Sequence, residues 1–112
     1  MPEFEKLWEE IQNKIDFHKN DEIVLELYDE LCRAAVKYTN MRLEWNWFSL
    51  EQKQDKDSLR TSYHDRFITQ WNMLQRYLTN TYQEYIDKVS DDRKVIGDFA
   101  CYICYKIAVS MR

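Results

Sequence analysis

The chain predicts an all-α fold, a compact bundle of four or five helices. Three observations carry that expectation. Among 112 residues there is one glycine, Gly97, and one proline, Pro2. All-β folds spend both residue types at their many turns, so their scarcity favours helices joined by short loops. Hydrophobic residues make up 45% and aromatics 15% of the chain, enough to fill one core despite 32% charged residues. Apolar residues also recur at helical spacing through most of the chain. The length suits a single domain over 1–112.

The first helix carries Phe4, Leu7, Trp8, Ile11, Ile15 and His18 on one side, with Pro2 in the first turn, where a missing N–H costs nothing. Asn20-Asp21 breaks and recaps the chain. A long second helix follows, Asp21 to Trp47, with a main stripe of Val24, Leu27, Leu31, Ala34, Ala35, Tyr38, Met41 and Trp45. A second stripe holds Leu25, Cys32, Val36, Leu43 and Trp47. A helix apolar on two faces needs cover on both, so this one is either central to the bundle or part of an interface.

At EQKQDKD, residues 51–57, the apolar pattern stops and a polar connection is expected; Ser49 and Gln52 have capping-box spacing for a short helix or turn. Ser58 caps a third helix carrying Leu59, Tyr63, Phe67, Trp71, Leu74 and Leu78. Thr81 and Glu84 again have capping-box spacing and open a short segment through Tyr85, Ile86 and Val89, or else the third helix continues with a kink. Ser90-Asp91-Asp92 starts the last helix, Asp91 to Met111, with Ile96, Phe99, Ala100, Ile103, Ile107 and Met111 inward. Its far side, Asp98, Tyr102, Tyr105 and Val109, is too apolar for an ordinary solvated face.

Charge narrows the function classes. The net charge is −4, but residues 1–30 hold ten acids against three lysines, and the remainder holds ten acids against thirteen bases. Direct nucleic-acid binding is disfavoured because the bases are not clustered. No run of about 18 apolar residues exists, so no membrane span is expected. The acidic, amphipathic start is no signal peptide, and three cysteines suit a reducing cytoplasm.

Residues that carry chemistry have plain structural readings beside the sharper ones. Cys101 and Cys104 form a C-x-x-C, but within a continuous apolar helical pattern; core cysteines are expected, and neither metal nor cofactor. His64 and His18 sit on apolar faces and read as hydrogen-bonded interior histidines. Asp65, Thr69, Asn72 and Arg76 form a polar stripe, and Asp98 is a candidate ion-pair partner for Arg76. Arg60, His64, Asp65, Asn72, Arg76 and Asp98 together make a candidate polar pocket. Glu22, Glu26, Asp29 and Glu30 resemble half of the magnesium clamp of all-α nucleotide hydrolases, but no second acidic pair faces them. No P-loop, HExxH, GxSxG or dinucleotide fingerprint occurs, so the sequence points away from an enzyme.

From Arg60 to Arg112, the stretches RTSYHDRFI, NMLQRYL and DDRKVIGDFACYI resemble a family of small helical proteins from Gram-positive bacteria, often associated with phages and conjugative elements. The matched positions are Arg60, His64, Asp65, Asn72, Arg76, Asp92, Arg93, Gly97 and Asp98. The resemblance implies a setting rather than a mechanism, since that family has no assigned biochemical activity.

The first expectation for function is a small protein-interaction module that docks a protein partner or a second copy of itself, with Trp47, Tyr102 and Tyr105 as anchors. A second is a mobile-element inhibitor of a host nucleic-acid enzyme, anti-CRISPR-like, presenting Glu9, Glu10, Glu26 and Glu30 in place of phosphates. A third is a small-ligand binder, or the metal-dependent hydrolase above.

Overall fold

The computed structural model describes residues 2–86, 89 and 92–111. Four helices follow one another: α1 Pro2–Phe17, α2 Glu22–Trp45, α3 Leu50–Tyr82 and α4 Arg93–Ser110. No strand occurs among the described residues. The molecule measures 47 × 30 × 24 Å. Its long axis matches α3, whose 33 residues span about 50 Å at 1.5 Å each.

Each helix after the first starts where a side chain can take up its free N–H groups. Asp21 accepts from the N–H of Ile23 and Val24, and Asp92 from those of Lys94 and Val95. Ser49 forms both halves of a capping box with Gln52. That box opens α3 nine residues earlier than the expected Ser58 cap. The polar stretch 51–57 is helical rather than a connection, because Glu, Gln and Lys are good helix formers that need no buried face.

The end of α3 also departs from expectation. Thr81 and Glu84 form no capping box; α3 stops at Tyr82, with Gln83 left-handed at φ 58° and its N–H bonded to the Leu78 and Thr79 carbonyls. Thr79 Oγ1 donates to the Glu84 carbonyl at 3.0 Å, which holds the turn. Gln83–Ile86 are not helical, so no fifth helix occurs among the described residues. The expected helix start at Ser90-Asp91 lies outside the described residues.

One core draws on all four helices, and Ile86 of the α3–α4 connection closes it. Phe99 is its centre, with ring centroids 5.3 Å from Phe4, 6.1 Å from Phe67 and 5.1 Å from Trp71. α2 makes the longest interfaces, first with α3 and then with α4, as a central helix should. Its main stripe is buried through Val24, Leu31, Ala34, Ala35, Tyr38 and Met41. Its second stripe is covered only at Cys32, half-buried against the core; Leu25, Val36, Leu43 and Trp47 are exposed. No helix among the described residues is long and apolar enough to cross a membrane.

Candidate functional site

The turn between α2 and α3 decides which aromatic side chains face out. The N–H of Trp47 bonds to the Glu44 carbonyl at 2.9 Å, and that of Phe48 to the Trp45 carbonyl at 3.2 Å. Phe48 therefore folds back edge-on against Trp45, centroids 6.0 Å apart. Trp47, between them, has nothing to pack on and is 88% exposed. Leu43, one helical turn earlier, is 59% exposed, and Leu50, at the start of α3, is 75% exposed. Three large apolar side chains thus stand in water around one corner, where hydration disfavours each of them.

Beside this corner, α2, α3 and α4 enclose a pocket of about 400 Å3, walled by Leu43 and Trp45 and carrying Arg42, Arg60, Asp98 and Cys101. Arg42 reaches across from α2 to α4. Its Nη2 donates to Asp98 Oδ1 at 3.3 Å and its Nη1 to Cys101 Sγ at 3.4 Å. A Cβ on Gly97 would stand 2.6 Å from the Arg42 Cζ, so the guanidinium lies where only glycine leaves room. Lys94, a turn before Asp98, approaches the other carboxylate oxygen at 3.4 Å.

Arg60 stacks on Trp45, its Cζ 4.1 Å from the ring centre, which fixes the plane of the guanidinium. Its nearest carboxylate is Asp57, with Nη2 and Oδ1 3.8 Å apart, too far for a hydrogen bond. Its Nε is buried without a partner among the described residues. A buried N–H left without an acceptor costs about 1–3 kcal/mol, and such an atom calls for an explanation.

Of the expected polar pocket, only Arg60 and Asp98 line this space. His64 lies one turn further along α3, edge-on to Tyr38, with Nδ1 3.1 Å from Asp65 Oδ1 and a buried, unpartnered Nε2. Asp65, Asn72 and Arg76 are exposed on α3. The expected Arg76–Asp98 pair does not form. α4 lies along the C-terminal half of α2, so Asp98 meets Arg42 instead. Arg42 had no signal in the sequence: it belongs to neither apolar stripe of the second helix and to no motif.

The remaining expected contacts are dispersed. Tyr102 is half-buried against Phe4, centroids 5.9 Å apart, and Tyr105 is exposed. Glu9 and Glu26 are exposed, while Glu10 and Glu30 are half-buried; Glu30 pairs with Arg66 at 3.3 Å. Glu9 shares a hollow with Lys6 and Lys106, so the acidic face is interrupted by bases. Cys101 and Cys104 turn to different partners, Arg42 and Thr39. Among the described residues no three His, Cys, Asp or Glu side chains come together as a metal would need.

A second hollow, of about 590 Å3, lies at the other end, between Phe17, His18, Asp21, Ile23 and Tyr82. Its polar groups are already satisfied. Asp21 Oδ2 accepts from both Tyr77 and Tyr82 hydroxyls, and Glu84 meets Lys14 at 3.2 Å and His18 at 2.7 Å. The Tyr82 and Tyr77 hydroxyls outweigh burial and hold the Asp21 carboxyl below its usual range. Burial pushes Glu84 upward, but His18 and Lys14 more than offset it, and Glu84 also lies low. This end is a structural clasp, whereas the pocket beside Trp47 has donors to spare. No protein-family model, curated protein or solved structure matches the chain.

Proposed function

We propose that this chain is a small protein-interaction module that docks a partner protein on the α2–α3 corner. The observation that carries the reading is the group of Leu43, Trp47 and Leu50, held outward by a hydrogen-bonded turn beside a pocket with two guanidinium groups. Large aromatic side chains that stay exposed in the free chain are the usual anchors of an interface. The charge beside them selects the partner. Arg42, Arg60 and Lys94 outnumber Asp57 and Asp98 around the pocket, so the fitting segment presents a large apolar residue with a carboxylate next to it. The bacterial mobile-element setting implied by the resemblance is compatible with such a module and adds nothing to its mechanism.

The test is to pan a displayed peptide library against the immobilised full chain. The expected winners pair a large apolar residue with Asp or Glu, and Trp47→Ala weakens them at least tenfold. Enrichment of peptides that bind Trp47→Ala equally well, or no enrichment, would sink the reading. Light scattering on the free chain adds one outcome. A dimer that Trp47→Ala dissolves would make the occupant a second copy rather than a foreign partner.

A further inference from the structure

We infer that the pocket between α2, α3 and α4 is a binding site for a carboxylate carried on an apolar body, gripped by the Arg42 and Arg60 guanidinium groups. The inference stands on the pocket's own geometry and does not need Trp47 or Leu50. Arg60 is oriented by Trp45 yet makes no hydrogen bond among the described residues, its one carboxylate neighbour standing 3.8 Å away. Arg42 is held only by long contacts, 3.3 Å to Asp98 and 3.4 Å to Cys101, so a closer acceptor can displace them. Planar guanidinium forks match the two oxygens of a carboxylate.

Charge sets the valence of the ligand. The charged lining, Arg42 and Arg60 against Asp98, has one positive charge in excess. A monoanion neutralises it, whereas a phosphate dianion overshoots and crowds the Asp98 carboxylate. Leu43 and the Trp45 ring form the apolar wall, which takes the body of the ligand. Gly97 shapes the site: it lets the Arg42 guanidinium lie on the α4 backbone, where a Cβ would push it aside.

Two sources share this chemistry: a free organic acid and a carboxylate on a polypeptide. The arginine Nε–H signals in a 15N-correlated NMR spectrum read the site directly, with exposed Arg76 as the internal control. The probes are 3-phenylpropionate, its neutral analogue 3-phenylpropanol, inorganic phosphate, and a short peptide ending in Leu-Glu. Arg42 and Arg60 signals are expected to shift saturably with 3-phenylpropionate or the peptide, and the arm that saturates identifies the source. Phenylpropanol and phosphate bind at least tenfold more weakly. Gly97→Ala, which keeps the helix but evicts the Arg42 guanidinium, and Arg60→Gln each weaken binding at least tenfold, with the backbone spectrum retained. Trp47→Ala, the variant that tests docking, changes the affinity for 3-phenylpropionate less than twofold, so either idea can fail alone. Linear shifts no larger than those of Arg76, equal binding of phenylpropanol, or full affinity in Gly97→Ala would overturn the assignment.

Discussion

Cys32 sits on α2 beside the α4 cysteine Cys104, and burial governs its chemistry. Burial pushes its thiol up to about 11, and the Cys104 thiol is raised by the same cause. The thiolate is the reactive species, so at pH 8 little of it is present at either position. Iodoacetamide at pH 8 should therefore modify Cys32 at least about tenfold more slowly than a free cysteine, as followed by peptide mass spectrometry. Modification at the free-thiol rate would mean that α2 and α4 part readily there. Apolar neighbours in the sequence marked Cys101 and Cys104 as core cysteines; both are only half-buried, Cys104 packed against the core and Cys101 lining the pocket. Asp98 was legible in the same partial way. Its place among apolar neighbours showed that it needs a cation, but which cation depends on how two helices are offset. That offset is set by packing between distant segments, and no local pattern encodes it.

At the scale of elements, the joints carry the ionisable groups that matter. Asp21 and Glu84 tie the start of α2 and the end of α1 to the end of α3. Both carboxyls lie below their usual range in the folded chain, for the reasons given above. The folded state therefore holds its carboxylates ionised to lower pH than the unfolded state does. The stabilisation is complete above the unfolded value, about pH 4, and is lost as the pH falls through the folded values. Thermal melts should be level from pH 7 to about pH 5 and drop below about pH 4. Asp21→Asn should lower the melting temperature at pH 7 and flatten that drop; a variant profile parallel to the wild type would show that the clasp contributes nothing. The joints were also the least legible parts of the chain. Capping residues at Asp21, Ser49 and Asp92 could be picked out because each cap is a local motif. The helical run through 51–57 could not, because periodicity detects a buried face and this stretch buries almost nothing.

For the whole molecule, composition and periodicity sufficed to give an all-α bundle, with the second helix either at its centre or part of an interface. They also showed that this helix carries more apolar surface than one partner covers. Which part stays open was decided in three dimensions: α4 covers Ala35, Thr39 and Arg42 but leaves Leu25, Val36 and Leu43 at its edge. The candidate site shows the same division. Arg60 and Asp98 were identifiable one by one, whereas Arg42 and the seat that Gly97 makes for it became visible only once α2 and α4 were side by side.

The paired tyrosines at Asp21 bear on the connectivity of the chain. α2 and α3 are antiparallel and joined by four residues, 46–49, at one end; at the other, Tyr77 and Tyr82 fasten to the residue that begins α2. The hairpin is thus closed at both ends, once covalently and once by hydrogen bonds, with a shared core between. A peptide bond cut next to Trp47, an exposed point of the turn, removes only the covalent closure. The two pieces should travel together through size exclusion at neutral pH and separate once Asp21 is protonated and the core is loosened with urea. Continuity of the backbone at that corner is then dispensable for the fold, and the corner is free to carry a side chain that the fold itself does not use.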